Sequence, residues 1–296
     1  MIILNPQWQG IGRPTPIPDG AKAIGTLLNA QGFNIHQIPL DGRDLEIAEN
    51  VKGLTPITAL TNTIATLLET ERPRKIFTCG GDCSSDFAQL TYLNALYGGD
   101  MALIWVDAHA DLNTPASSPS KNFHGMTLRC LMGDGADSLT SLVKTPLKPD
   151  QLTFFGLRSI DPEEARFIND ESIAVFETEK TRSLGEDYPA LKSKNLYIHV
   201  DIDSLDQSVF NECATPTSGG FRLEELIALI SYYTQNYNII GGCLTEYAPK
   251  DPQSTLPLVE NILMQGFNLK EQYADDININ YNKAQSQAER GQLSKV

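Results

Sequence analysis

Met101-Ala102-Leu103-Ile104-Trp105-Val106 runs without a break into Asp107-Ala108-His109-Ala110-Asp111, and this junction organises the reading of the chain. Six mostly apolar residues with no breaker read as a buried strand. The strand ends in three ionisable groups within five residues, whose charge has to be offset if they are buried. If the extended conformation continues, period-two geometry puts Asp107, His109 and Asp111 on one side. Two carboxylates and an imidazole facing one point suit a divalent cation. A polar strand end that merely caps a helix is the alternative.

Outward from this junction the same order of strand then helix repeats. Apolar runs predict strands at 2–4, 33–38, 75–79, 151–157, 173–176, 195–200 and 238–245. Between them, helical spacing predicts a helix capped by Asp19 and helices at 54–69, 125–131, 162–168, 222–235 and 256–266. Gly80 and Gly81 follow the third predicted strand, where they let the backbone turn sharply before a helix that runs to about Tyr97. Repeated strand–helix units mean α/β, with a parallel sheet covered on both faces. In such sheets ligands bind beyond the C-terminal ends of the strands. Asp82, Asp107 to Asp111, Asp161, Asp201 to Asp206 and Glu246 all fall there.

With 296 residues, 41% of them apolar and 20% charged, the chain is long enough to bury a large core. No composition break divides it, so one domain is expected over 1–267. A polar segment, 268–296, is expected to be a poorly packed tail or an oligomer arm. The net charge of −14 argues against nucleic acid and anionic membrane as partners. No run approaches the roughly 18 apolar residues of a membrane span. The first residues lack the basic and apolar regions of a signal peptide. Five cysteines, an odd number without paired spacing, fit reduced thiols and a cytoplasmic location. Cys79 and Cys83 are too isolated for a cysteine-rich zinc site.

Asp201 and Asp203 again lie two apart. With Asp107, His109 and Asp111 they give four carboxylates and one imidazole. Unneutralised and buried, such a cluster repels itself by several kcal/mol. Two dications offset that repulsion and lower the pKa of a shared water. Oxygen-rich ligands with an imidazole favour Mn²⁺ or a similar ion. A solvated acidic rim is the alternative.

Gly80-Gly81-Asp82-Cys83-Ser84, Asp107-Ala108-His109-Ala110-Asp111, His124-Gly125-Met126 and Asp201-Ile202-Asp203 with Asp206 resemble, in order, the motifs of the ureohydrolase (arginase–agmatinase) family. The resemblance covers about 75–250. It implies a three-layer α/β/α fold with a mostly parallel central sheet of about eight strands. It also implies a binuclear manganese centre, two Mn²⁺ per chain, that activates water against a guanidinium carbon. By the same resemblance Asp107 and Asp201 bridge both metals, His109 and Asp203 complete one, and Asp111 joins the other, close to the reacting water. His124 becomes the proton-shuttling residue and Glu246 the carboxylate that orients the guanidinium. Thr215 matches a threonine near the substrate.

Asp111-Leu112-Asn113-Thr114-Pro115 and Ser120-Lys121-Asn122-Phe123-His124 resemble arginase more than agmatinase. In that comparison Asn113 and Ser120 meet the α-carboxylate of L-arginine, and Asp161 meets its α-amino group. Ordinary loop capping is the other reading of Asn113 and Ser120. Ser159 replaces the first aspartate of the arginase segment. The implied reaction is L-arginine to L-ornithine and urea. Hydrolysis of another guanidino or formimino acid, or a non-catalytic relative with an impaired metal site, are the alternatives. The implied assembly is a homo-oligomer, a trimer or hexamer.

One position departs from the pattern. The family has histidine, a terminal ligand of the metal also held by Asp111, where this chain has Cys83. Cys83 either ligates as thiolate and favours Zn²⁺ or Fe²⁺, or leaves the position to water, or leaves that site empty. It also reads as a small buried apolar residue. His199 reads as a core histidine satisfied by backbone, His36 as a surface residue and Trp105 as core. Asp206 reads as fixing its loop, and Arg158 as pairing with a carboxylate.

Overall fold

In the computed structural model, residues 1–40, 45–185 and 187–277 are described. Ten strands form: β1 (Ile2–Asn5), β2 (Ile35–Gln37), β3 (Ile47–Ala48), β4 (Val51–Lys52), β5 (Ile76–Gly80), β6 (Ala102–Val106), β7 (Leu152–Phe155), β8 (Ala174–Phe176), β9 (Asn195–Asp201) and β10 (Asn238–Thr245). β3 and β4 make a separate antiparallel pair. The other eight make one sheet in the order β2-β1-β5-β10-β9-β6-β7-β8. Every pairing in it is parallel.

Alternation along the strands builds the layers, because successive side chains point to opposite faces. On β6, Leu103 and Trp105 join one core with Leu60, Ile64 and Leu68 of helix Leu54–Glu71 and with Phe87, Leu90 and Leu93. Ala102, Ile104 and Val106 join the other. There they meet Ile24 and Leu28 of helix Ile17–Ala30 and Leu226, Leu229 and Ile230 of helix Leu223–Asn236. Each fully buried large aliphatic side chain stabilises the fold by about 1.5–3 kcal/mol relative to exposure. The result is a three-layer α/β/α arrangement around a mostly parallel sheet of eight strands, as the motif resemblance implies.

β9 and β10 come last in the chain yet insert between β5 and β6. The two motif-bearing ends of β5 and β6 are thereby joined by two further motif-bearing ends in the middle of the sheet. Four motif-bearing strand ends stand side by side at its C-terminal edge.

Several local expectations change. Helix Ile17–Ala30 starts with Pro16 at its cap, and Asp19 lies in its first turn instead of capping it. There its carboxylate still meets the positive end of the helix dipole. Gly80 and Gly81 do not have positive φ. Close approach explains them: a Cβ on Gly81 would stand 1.7 Å from the Gln7 carbonyl oxygen, and one on Gly80 would stand 2.5 Å from Ser85 Oγ. The expected single helix over 256–266 is an α-helix, Pro252–Asn261, continued by a π-helical turn, Ile262–Gly266.

Packing does not stop at residue 267. Leu269 and Tyr273 are buried, and Tyr273 stacks edge-on against Phe77. Asp276 pairs with the N-terminal amine at 2.8 Å, and Ile277 bridges Phe33. Leu269, Tyr273 and Ile277 recur at four-residue spacing, which gives this polar stretch one apolar face. The remainder of the expected tail, 278–296, lies outside the described residues.

Candidate metal centre

Strand register brings the donors together. Thr245 pairs with Asp201, and Val106 pairs with Val200, so Asp107 follows beside Asp201. Asp107, Asp201 and Thr245 form one rung at the sheet edge. Two residues back on the same face lies a second rung, Trp105, His199 and Cys243. All six are buried.

After β6 the chain loops back over this edge. Asp107 Oδ1 accepts the His109 backbone N–H at 2.7 Å, and its Oδ2 accepts Trp105 Nε1–H at 3.0 Å. Asp201 Oδ1 likewise accepts the Asp203 N–H at 2.7 Å. These short loops turn His109 and Asp203 toward each other. His109 Nδ1 lies 3.4 Å from Asp107 Oδ1 and 3.1 Å from Asp203 Oδ2. Two donors each about 2.1 Å from one ion, at right angles, stand about 3 Å apart. The Asp107–His109–Asp203 spacing therefore fits a common ion, and these three form one of the donor groupings of the chain. Thr215 Oγ1 donates to Asp203 Oδ2 at 2.8 Å, and the Ala108 N–H to its Oδ1 at 3.2 Å.

The β5 end supplies the second half. Asp82, fully buried, accepts from the Gly10 and Ser84 N–H groups and the Ser84 hydroxyl, which pins the loop after Gly81. Cys83 Sγ then sits 3.1 Å from Asp201 Oδ2. Glu246, held at φ 63°, donates its N–H to the Gly81 carbonyl at 2.7 Å. Its Oε1 accepts the Cys83 N–H at 3.1 Å and lies 3.7 Å from His124 Nδ1. Asp111 is also in the left-handed region, at φ 50°, conformations that a non-glycine residue adopts mainly where the surroundings enforce them. Asp111 Oδ2 and Glu246 Oε2 are buried without a hydrogen-bond partner.

The electrostatics call for cations. Burial, and then the charge of Asp203, push Asp107 and Asp201 above the usual carboxylate range. Burial and Asp107 raise Asp111; burial and Asp82 raise Glu246. Burial would raise Asp203 too, but its hydrogen bonds to His109 and Thr215 outweigh it and hold it low. Desolvation opposes charge on His109, yet its contacts to Asp107 and Asp203 prevail and raise it to about 12. One imidazolium cannot neutralise this many buried carboxylates. Two orphaned carboxylate oxygens and a set of oxygen donors with an imidazole fit divalent cations: Asp107, His109 and Asp203 are spaced for one ion, and Cys83 lies against Asp201 beside them. Desolvation, then His109, lower His124 to about 4, so it is a neutral base at ordinary pH.

The fold has known counterparts. The Arginase family model matches residues 20–266.

The chain belongs to the arginase family.

An arginase of Staphylococcus aureus (strain MRSA252) is 32% identical over 179 residues, which cover 57% of this chain and 59% of that protein. Among solved structures, the Entamoeba histolytica arginase in complex with L-ornithine matches with a TM-score of 0.80 and 25% identity, over 90% of this chain and 96% of that one. The native arginase of Bacillus caldovelox matches with a TM-score of 0.79 and 25% identity, over 90% and 97%.

In this arginase-family chain the residues expected at the substrate end are only partly gathered. Asn113 Nδ2 donates to Asp161 Oδ2 at 2.9 Å, so these two meet. Ser120 is exposed and its hydroxyl accepts the Asn122 N–H at 3.2 Å, a loop-capping contact. Thr215 touches Asp203, a carboxylate of the buried cluster. Asp206 fixes its loop as expected, accepting the Ser208, Gly219 and Gly220 N–H groups. Arg158 does not pair with a carboxylate: it donates to the carbonyls of Gly156, Asp203, Leu205, Thr217 and Ser218. His199 is satisfied by the Asp86 carboxylate at 2.9 Å, not by backbone.

Sequence reading missed Glu164. Its Oε1 accepts the Leu112 N–H and its Oε2 the Asp161 N–H, both at 2.9 Å, tying the Asp111 loop to helix Pro162–Asp170. Its place at the third helical position after Asp161 was the available signal. Among the described residues no helix is long and apolar enough to cross a membrane.

Proposed function

We propose that this chain is a metal-dependent hydrolase of a guanidino acid, with L-arginine as the leading substrate and urea and L-ornithine as products. The observation that carries the reading is a buried carboxylate cluster, with Asp107 and Asp203 against His109, Asp201 and Glu246 against Cys83, and an unpartnered Asp111 oxygen. Membership of the arginase family supports it, as does the L-ornithine in the E. histolytica relative.

Asp107, His109, Asp111, Asp201 and Asp203, with Cys83, would hold two ions, Mn²⁺ being the family's metal. Such ions supply, when bound, a water acidified to near-neutral pKa and a counter-charge for the carboxylates. The unpartnered Oε2 of Glu246 is free to accept the guanidinium N–H groups, a charge-assisted pairing of matched planar geometry. Water adds to the guanidinium carbon, the bond from that carbon to the substrate's chain nitrogen breaks, and the departing amine takes up a proton. His124, neutral and 22% exposed beside Glu246, accepts and returns that proton. Asn113 and Asp161 read the amino-acid end of the substrate, with Ser120 on the same loop.

The test is urea release from a panel of guanidino acids by protein loaded with Mn²⁺, Zn²⁺, Co²⁺ or Fe²⁺. L-Arginine is expected to lead. Strong turnover of a compound lacking an α-amino acid head would remove the roles of Asn113, Ser120 and Asp161. No turnover of any guanidino compound with any metal would refute the reading. Asp203→Ala should abolish turnover and lower the metal content. The proposed assembly is a homo-oligomer, a trimer or hexamer, which sedimentation checks.

A further inference from the structure

The rung beneath the carboxylates carries a donor that no role above uses. His199 is completely buried, in the middle of β9. Its Nδ1 lies 2.9 Å from Asp86 Oδ2, which also accepts the Tyr197 hydroxyl at 3.0 Å. A carboxylate on Nδ1 keeps the proton there and leaves Nε2 unprotonated, as an acceptor. This is the arrangement that orients metal-bound imidazoles. Nε2 looks toward the site: Thr245 Oγ1 is 3.4 Å from it and 3.8 Å from Cys83 Sγ. The ring is stacked on Trp105, with centroids 3.4 Å apart and planes 3° from parallel. The same Trp105 holds Asp107 Oδ2 through Nε1. One aromatic platform thus fixes both an imidazole and a carboxylate.

The donor atoms of Cys83, Asp107 and His199 all lie within 4.8 Å of one another. An ion binds nitrogen and oxygen at about 2.0–2.2 Å and sulfur at about 2.3 Å, so tetrahedral ligand atoms stand about 3.5 Å apart, and modest side-chain shifts close this set. Cys83 also groups with His124 and Glu246. In that group the imidazole is partly exposed, and its Nδ1 is 3.7 Å from Glu246 Oε1. The His199 ring is the pre-oriented one.

We infer that His199 Nε2 joins Cys83 Sγ and Asp107 as a ligand of the second metal ion, and that this position takes a softer dication such as Zn²⁺, Fe²⁺ or Co²⁺ in preference to Mn²⁺. The histidine absent from position 83 is in effect supplied by β9. A thiolate and an imidazole beside a shared carboxylate make a mixed sulfur, nitrogen and oxygen donor set, whose softness favours those ions. The inference rests on the reading of the cluster as a two-metal centre.

The test uses the full chain, stripped of metal and titrated with Co²⁺, reading bound cobalt per chain and the absorption spectrum. Wild type is expected to show a sulfur-to-cobalt charge-transfer band. Cys83→Ser should lose it. His199→Asn should weaken binding of that one ion tenfold or more and shift the band, while His124→Asn should leave both unchanged. A His199→Asn protein with wild-type cobalt affinity and spectrum would overturn the inference and leave the two-metal reading standing. Failure of wild type to bind any cobalt, zinc or manganese would overturn both. Should His199→Asn not fold, wild type with isotope-labelled histidine and NMR-active cadmium decides. Scalar coupling of cadmium to His199 Nε2 supports the assignment, and coupling to His109 without His199 refutes it.

Discussion

Replacing Thr215 by valine keeps the shape of the side chain and removes one hydroxyl. That hydroxyl donates to Asp203 Oδ2 at 2.8 Å, the same oxygen that lies 3.1 Å from His109 Nδ1. Hydrogen bonds to charged groups are worth about 1.5–3 kcal/mol. At about 1.4 kcal/mol per decade, losing this one should weaken the ion held by Asp107, His109 and Asp203 about tenfold to hundredfold. The range agrees with the usual cost of removing a group that orients a metal ligand. The assay is competition between a chelator and metal-depleted Thr215→Val protein for Mn²⁺, followed by urea release at saturating metal. Thr215 is only half-buried, so unfolding free energy should change by less than about 1.5 kcal/mol. At saturating metal the substrate KM should stay near wild type, because Thr215 acts through Asp203. A raised KM with unchanged metal affinity would refute this reasoning and return Thr215 to the substrate-contact role suggested by motif resemblance.

Arg158 gathers five carbonyls from the β7, β9 and 217–218 segments, so Arg158→Ala should cost at least about 2 kcal/mol in urea denaturation. Arg158→Lys should recover little of it, since a lone ammonium lacks the planar fork. Gly81→Ala should reduce stability by about 3 kcal/mol or more, or prevent folding, because its Cβ would stand 1.7 Å from the Gln7 oxygen; wild-type thermal unfolding would rule that out. Hydrogen bonds from Ser208 and then from the Gly219 and Gly220 N–H groups hold Asp206 down to about 2. A carboxylate depressed by folding contributes stability that is fully present above its unfolded pKa, about 3.9, and is lost as pH falls through 2. The difference in melting temperature between wild type and Asp206→Asn should therefore shrink from pH 5 toward pH 2; a constant difference would contradict the assignment.

The apolar run 101–106 and its charged continuation carried most of the fold and much of the site, because periodicity and strand-end chemistry are local. Asp107, His109 and Asp203 are read from two short motifs, but each two-residue spacing works through a loop and not through continued strand geometry: the strand ends at Val106 or Asp201, and the first carboxylate accepts the N–H two residues on. Glu246 also follows its strand directly. Less local features were harder to read. Gly80 and Gly81 looked like turn formers, but what excludes a side chain is close packing, of Ser85 and Thr245 against Gly80 and of Gln7, more than seventy residues away, against Gly81. Arg158 looked like half of an ion pair, because a sequence does not show converging carbonyls. The polar composition after 268 concealed the apolar spacing of Leu269, Tyr273 and Ile277.

The sequence by itself determined the α/β class, the sheet edge that carries the chemistry, and the donor types available for dications. These follow from side-chain period and from the cost of burying unpaired charge. Only the tertiary structure decided which donors meet. β9 and β10 enter the sheet between β5 and β6, which sets Asp201 beside Asp107 and places Cys83 against both. The same register stacks His199 on Trp105 and turns a residue that looked like filler toward the site. Parallel strand order is a long-range choice, fixed by how helices cover both faces, and it has no signature in any short stretch of the chain.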